Sequence, residues 1–225
     1  MTVFSLPEEN IFPLPELAEE DGLLAVGGDL SPERLINAYA NGIFPWYSDD
    51  SPILWWSPNP RMILFPKEFK RNKSLSKIIQ KGIFEVKFDN DFEGVIKNCA
   101  IAKRENQDGT WLTDEMINAY IKLYELGFAH SVETYFDNNL VGGLYGVSIG
   151  KAFFGESMFH KKTDASKVAL WHLVEKLLEW DFDFIDVQQE TKHLKSMGAN
   201  AVEREKFLIL LEIAIKKEGN INKWN

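Results

Sequence analysis

The sequence predicts an α+β protein, with an irregular N-terminal lobe over residues 1–65 and a larger domain over residues 66–225. Residues 131–160 read as an antiparallel meander, and residues 165–217 as alternating helix, strand and helix. Residues 1–65 instead crowd Pro, Gly and Trp between short segments. With 45% hydrophobic and 13% aromatic residues among 225, the chain can bury a sizeable core.

In the N-terminal lobe, Gly27, Gly28 and Asp29 make a turn before Ser31, the N-cap of a short helix with Pro32 in its first turn. Leu35, Ile36, Ala38 and Tyr39 share its apolar face, and Gly42 can supply a left-handed stop. Next, Trp46, Tyr47, Trp55 and Trp56 are interleaved with Pro45, Pro52, Pro58 and Pro60. Such rings either fill a small core or form a platform for a flat ligand; Trp55 and Trp56 read better as core, and Trp46 fits both. Residues 61–65 form a strand. Lys70, Lys73, Lys77 and Lys81 recur at three and four, so a helix presents them as one stripe opposite Leu75, Ile78 and Ile79. The 25 basic and 34 acidic residues give a formal charge of −9, which repels polyanions on average. A local basic stripe is then either a solvated face or the place where a phosphate backbone docks.

The larger domain continues with a strand over 84–88 and a helix over 91–100, whose apolar face carries Cys99 as a core thiol. A turn at Asp108 and Gly109 leads to Trp111, and Thr113 caps a helix burying Met116, Ile117, Tyr120 and Leu123 and stopped by Gly127. Residues 131–136 and 140–147 pair as a hairpin around Asn138 and Asn139, and a second turn at 148–150 starts a third strand. A helix over 165–180, a strand over 182–187, a short helix over 190–197 and a last helix over 204–217 complete the chain.

Three polar residues stand out against apolar surroundings. Glu156 lies among apolar and small residues, as an ion-pair member or as a working group. Asp186 and Gln188 end an apolar strand, where strict alternation puts them on one face and Ile185 and Val187 on the other. They can cap the following helix or meet a ligand together with Glu156. Ser157 is not in a GxSxG elbow, no phosphate loop of the GxxxxGK[ST] type occurs, and the four histidines have no metal spacing. The single cysteine excludes disulfide and zinc frameworks, so no metal is expected. The pattern is that of a site that positions substrates. The apolar runs stay short of about 18 residues and the N-terminus lacks a basic segment followed by an apolar one, so the expected location is the cytoplasm, without membrane contact.

In order from residue 21 to about 204, the stretches DGLLAVGGDLSPERL, AYANGIFPWY, ILWWSPNPR, GTWLTDEM, AHSVE, VGGLYGV, FFGESMF, DASKVAL, IDVQ and HLKSMGA resemble the leucyl/phenylalanyl-tRNA-protein transferases. Val187 stands where that family has Cys, and Lys161 where Arg is usual. The resemblance implies a GNAT-like catalytic domain and transfer of Leu or Phe, less efficiently Met, from aminoacyl-tRNA to the N-terminal Arg or Lys of proteins, which marks them for N-end-rule degradation. It implies Asp186 and Gln188 as the catalytic pair, with Glu156 orienting the aminoacyl amino group or the terminal ribose. It places Tyr39, Trp46, Trp111 and Tyr120 around the 3′ adenosine, with Ser157 among the substrate-binding residues. The apolar side chain is expected among Leu144, Phe153, Met158, Leu170, Leu173 and Ile185, and the tRNA backbone on Lys70, Lys73, Lys77 and Lys81. The resemblance further implies that aminoacyl-tRNA is a co-substrate and that no cofactor is needed, and the protein is expected to act as a monomer. An acyl-CoA-dependent GNAT-like transferase is the alternative, disfavoured because HKKTDASKVAL lacks the glycine turn that holds a pyrophosphate.

Overall fold

The computed structural model describes residues 3–102, 112–220 and 222–225. Trp111 and the expected turn at Asp108 and Gly109 lie outside the described residues. The chain opens with β1 (Phe4–Ser5), β2 (Leu23–Val26), α1 (Pro32–Ala40), β3 (Phe44–Pro45) and β4 (Leu54–Trp56). These strands form a four-stranded sheet in the order β1-β2-β4-β3. The Ser31 side chain caps α1 by accepting from the Arg34 N–H, and Gly42 leaves the helix at φ 71°, as the turn chemistry demands.

The chain then runs through β5 (Arg61–Leu64), α2 (Lys73–Lys81), β6 (Glu85–Phe88), α3 (Phe92–Ile101) and α4 (Asp114–Glu125), followed by β7 (Ala129–Phe136), β8 (Asn139–Ile149) and β9 (Ala152–His160). It ends with α5 (Ala165–Glu179), β10 (Phe184–Gln188), α6 (Lys192–Ser196), β11 (Asn200–Val202) and α7 (Arg204–Ile215). A seven-stranded sheet has the order β11-β5-β10-β9-β8-β7-β6. It is antiparallel except where β10 lies parallel to β9. The sheet has one apolar cluster on each face. One contains Phe92, Met116, Phe154, Phe184 and Phe207 together with Leu24, Tyr39 and Trp55, so the N-terminal sheet and α1 share this core. The other contains Leu75, Leu144, Phe153, Leu173 and Ile185. Cys99 is buried in the first cluster.

Several local expectations shift. The strand β5, expected in the N-terminal lobe, pairs with β10 and β11 and belongs to the larger sheet. The hairpin turn is Asp137 and Asn138, both at positive φ, one residue earlier than the Asn-Asn pair. This is the paired left-handed geometry that two-residue hairpin loops require. Lys70 precedes α2, because the Asn72 side chain caps that helix on the Leu75 N–H. Lys73, Lys77 and Lys81 remain on it, and all four lysines are exposed.

Strands β9 and β10 part company in a way that creates the site. Their pairing ends at Asp186 opposite Phe154, although β9 continues to His160 and β10 to Gln188. Each strand carries a bulge just past that point. Tyr145 and Gly146 pair with Ser157 and Gly155, leaving Glu156 as the extra residue; Ile63 and Met62 pair with Asp186 and Gln188, leaving Val187. Bulges bend a strand and re-aim its side chains.

Candidate active site

A cavity of about 600 Å³ opens beside the parted strands, within the usual range for a small-molecule site. Leu144, Phe153, Met158, Leu170, Leu173 and Ile185 all line it. They come from β8, β9, α5 and β10, so the apolar wall is built from the rigid sheet and the helix packed on it. Trp46 and Ser157 line it too, and the N-terminal sheet contributes Phe44 and Pro45. Trp55, by contrast, is fully buried, and its indole N–H donates to the Gly27 carbonyl, which places it in the core. The Trp56 indole N–H donates to the Trp46 carbonyl, and the two rings lie 5.6 Å apart, so Trp56 supports the tryptophan that faces the cavity.

The polar end is formed by Glu156 and Gln188. The Gln188 side-chain amide donates to Glu156 Oε1 at 3.1 Å, and the Tyr120 hydroxyl donates to Oε2 at 2.9 Å. Tyr39 and Tyr120 bond hydroxyl to hydroxyl at 2.5 Å. No cation bonds to the Glu156 carboxylate among the described residues. Burial pushes the carboxyl up to about 7; the Tyr39 and Tyr120 hydroxyls oppose the rise, Asp186 adds to it, and Arg61 opposes it. Burial, followed by the Glu156 charge, holds both tyrosines well above the usual phenol range, so they are neutral donors.

Tyr39 and Tyr120, which the resemblance places around an adenosine, stand outside the cavity wall. Both are completely buried and neither lines the cavity; they form the chain of hydroxyls behind Glu156.

Asp186 also departs from the simple expectation. It does not share the face of Gln188, because the bulge at Val187 breaks the alternation and Gln188 sits at φ 55°. The Asp186 side chain is fully buried, away from the cavity lining, and Arg61 grips it with Nε to Oδ1 at 2.9 Å and Nη2 to Oδ2 at 2.7 Å. Oδ1 also accepts the Gln188 backbone N–H at 3.0 Å. Asp186 thus fixes the bend that turns Gln188 toward the cavity.

Arg61 is a site residue that sequence reasoning missed. It is fully buried, donates Nη1 to the Gly42 carbonyl, and lies 4.8 Å and 4.7 Å from the rings of Phe44 and Phe207. The signal was present: an arginine heading the apolar run Arg61–Leu64 needs a buried carboxylate, and Asp186 is in an equally apolar strand. Thr191 and His193, at the start of α6, line the cavity as well, although the sequence pattern marks them only as part of a short helix. Among the described residues, no group of three His, Cys, Asp or Glu is placed to hold a metal ion, and no helix is long and apolar enough to cross a membrane.

The fold and cavity define a largely apolar pocket with an amide and a carboxylate at its end. The family descriptions "Leucyl/phenylalanyl-tRNA protein transferase" and its N-terminal domain match residues 63–212 and 28–59. The leucyl/phenylalanyl-tRNA–protein transferase of Thermodesulfovibrio yellowstonii is 57% identical over 225 residues, covering 100% of this chain and 92% of that protein. The transferase of the same name from Syntrophobacter fumaroxidans is 54% identical over 224 residues, covering 100% and 96%. Among solved structures, a GCN5-related N-acetyltransferase from Kribbella flavida aligns with a TM-score of 0.38 at 8% identity, covering 76% of this chain and 60% of that one. The chain belongs to the leucyl/phenylalanyl-tRNA–protein transferase family.

Proposed function

We propose that the protein transfers Leu or Phe, and less efficiently Met, from aminoacyl-tRNA to the N-terminal Arg or Lys of proteins, marking them for N-end-rule degradation in the cytoplasm. Family membership supports the reaction class. The observation that carries the mechanism is the apolar cavity ending at the Gln188–Glu156 contact. The Leu or Phe side chain lies among Leu144, Phe153, Leu170, Leu173 and Ile185, which leaves the ester carbonyl near the polar end. A pocket of this kind separates side chains differing by a methylene by only about 1–3 kcal/mol, which accounts for the tolerance among apolar donors.

An aminoacyl ester is already activated, and an N-terminal amine has an unperturbed pKa of about 7.7–8.0, so the enzyme has chiefly to bring the two together. The neutral amine attacks the ester carbon, a C–N bond forms, the C–O bond to the ribose breaks, and the departing ribose oxygen takes up the proton the amine gives up. Ionised Glu156 can only accept hydrogen bonds, so it draws the Gln188 NH₂ group to itself. Gln188 Oε1 is then directed to accept an N–H of the incoming amine. Glu156 also offers its charge to the α-ammonium group or the terminal ribose of the donor. Asp186 is a positioning residue, acting through the backbone of Gln188. Trp46 is the ring available to the terminal adenosine. The exposed Lys70, Lys73, Lys77 and Lys81 take the phosphate backbone, while the net charge of −9 suits a cationic acceptor. No cofactor takes part, and the protein acts as a monomer.

Incubation with labelled Leu-tRNA and a peptide beginning with Arg tests the proposal. Label should enter the Arg peptide and not a peptide beginning with Glu. An absence of transfer, or transfer from an acyl-CoA instead, would overturn it.

A further inference from the structure

The chain does not end with α7. Beyond it, Trp224 returns to the core and is 4% exposed. Its backbone is held on both sides: the N–H donates to buried Asp89 Oδ2 at 2.7 Å, and Lys176 Nζ donates to the carbonyl at 2.7 Å. Asp89 is itself fixed, since Oδ1 accepts from the Ser131 N–H and Oδ2 contacts His130 Nδ1. The indole stacks on the His130 ring at 4.0 Å with an interplanar angle of 10°, and Trp180 packs edge-on at 5.2 Å.

The same indole meets the ring of Phe153 at 5.7 Å. Phe153 lines the cavity, and its ring also lies against Gly146, where an added Cβ would come within 2.6 Å of two ring atoms. Bare backbone on one side and a tethered indole on another leave Phe153 little room to move. Six cavity-wall residues, Leu144, Phe153, Leu170, Leu173, Ile185 and Val187, share one apolar cluster with Trp224.

We infer that Trp224 sets the depth of the cavity by holding Phe153 in place, and is thereby a specificity-determining, positioning residue for the amino acid that is transferred. The inference rests on the function proposed above. A close-packed wall relaxes only partly when a neighbour is removed, so loss of the indole leaves space into which Phe153 can retreat. The deeper cavity favours the larger donor side chain.

The test is the ratio of kcat/KM for Phe-tRNA to that for Leu-tRNA, with an Arg-terminated peptide as acceptor. In Trp224→Leu the ratio should rise by roughly threefold or more, and in Trp224→Phe by about twofold, because discrimination by an apolar pocket responds to the volume of a methylene or so. Trp55→Leu is the control for general loss of stability: it removes a buried indole in the N-terminal sheet and should leave the ratio at the wild-type value. If Trp224→Leu does not fold, Trp224→Phe alone decides. An unchanged ratio in the folded Trp224 variants, or an equal rise in Trp55→Leu, overturns the inference. Wild-type protein that transfers neither amino acid overturns the proposed function instead.

Discussion

Two carboxylates flank the point where β9 and β10 separate, and their surroundings are opposite. Asp186 is fully buried against Arg61, with both oxygens engaged by the guanidinium. Glu156 lies at the cavity, held by an amide and a phenol, with a carboxyl pushed up to about 7. The difference separates two tasks. A carboxylate locked to a guanidinium holds backbone in place, whereas one bonded only by neutral donors can change charge near neutral pH.

The largest expected effect comes from breaking the locked pair. Arg61→Met leaves Asp186 buried without a counter-charge and should cost about 3–5 kcal/mol in urea unfolding. Arg61→Met combined with Asp186→Leu should recover most of that stability, since apolar replacement of a whole buried pair is often neutral or better. Transfer should not recover with it, because the Gln188 backbone has lost the Asp186 oxygen that holds its bend. A double variant that regains both would show that Asp186 has no positioning role.

Glu156→Gln addresses the other carboxylate and should have effects of opposite sign on stability and activity. The folded-state pKa of about 7 lies above the ordinary value of 4.5, so between these values the folded protein binds the additional proton. Wild-type stability therefore falls as pH rises from about 4.5 through 7, by at most about 3 kcal/mol, and the Gln variant lacks this loss. The variant should gain in unfolding free energy on going from pH 5 to pH 8 relative to wild type; parallel pH curves would remove the basis for the comparison. Its transfer rate should drop roughly 10- to 100-fold at pH 8, the size expected for a lost hydrogen bond to a charged group. Both rates should fall as the acceptor amine takes up its proton below about pH 8; the wild-type rate should fall more steeply below about pH 7 as Glu156 also protonates, and this additional steepness should be missing in the variant.

The contrast between the two carboxylates was only half legible in the sequence. The apolar wall could be read because Leu144, Phe153, Leu170, Leu173 and Ile185 follow strand and helix periodicities that the fold keeps. The polar end could not be read in the same way, because it depends on two bulges that periodicity does not contain. Strict alternation puts Asp186 beside Gln188; the bulge at Val187 sends one toward Arg61 and the other to the cavity. The resemblance places Tyr39 and Tyr120 beside a nucleoside, whereas both are buried, with the Tyr120 hydroxyl donating to Glu156 and bonded to that of Tyr39. Ser31 and Thr113 both cap helices, since caps are local chemistry. Strand β5, whose pairing is set by distant partners, could not be assigned to its sheet from a four-residue run.

Tyr120→Phe gives the smallest expected effect and the finest discrimination between the two sites. It removes one hydroxyl, which donates to Glu156 and pairs with Tyr39, while keeping the ring that packs edge-on against Tyr145 at 5.5 Å. Stability should fall by about 1–2 kcal/mol, the cost of a lost buried hydrogen bond with its partner left behind. The hydroxyl favours the ionised carboxylate, so its loss moves the Glu156 pKa further up and the acid limb of the transfer rate to higher pH. At pH 8 and above the rate should approach that of wild type. The Asp186–Arg61 pair has no hydrogen bond to Tyr120, so a limb that stays in place would assign the titration to another group. A limb that moves upward while the high-pH rate is kept identifies Glu156 as the group that must be ionised, with the tyrosine hydroxyls helping to set the pH at which that happens.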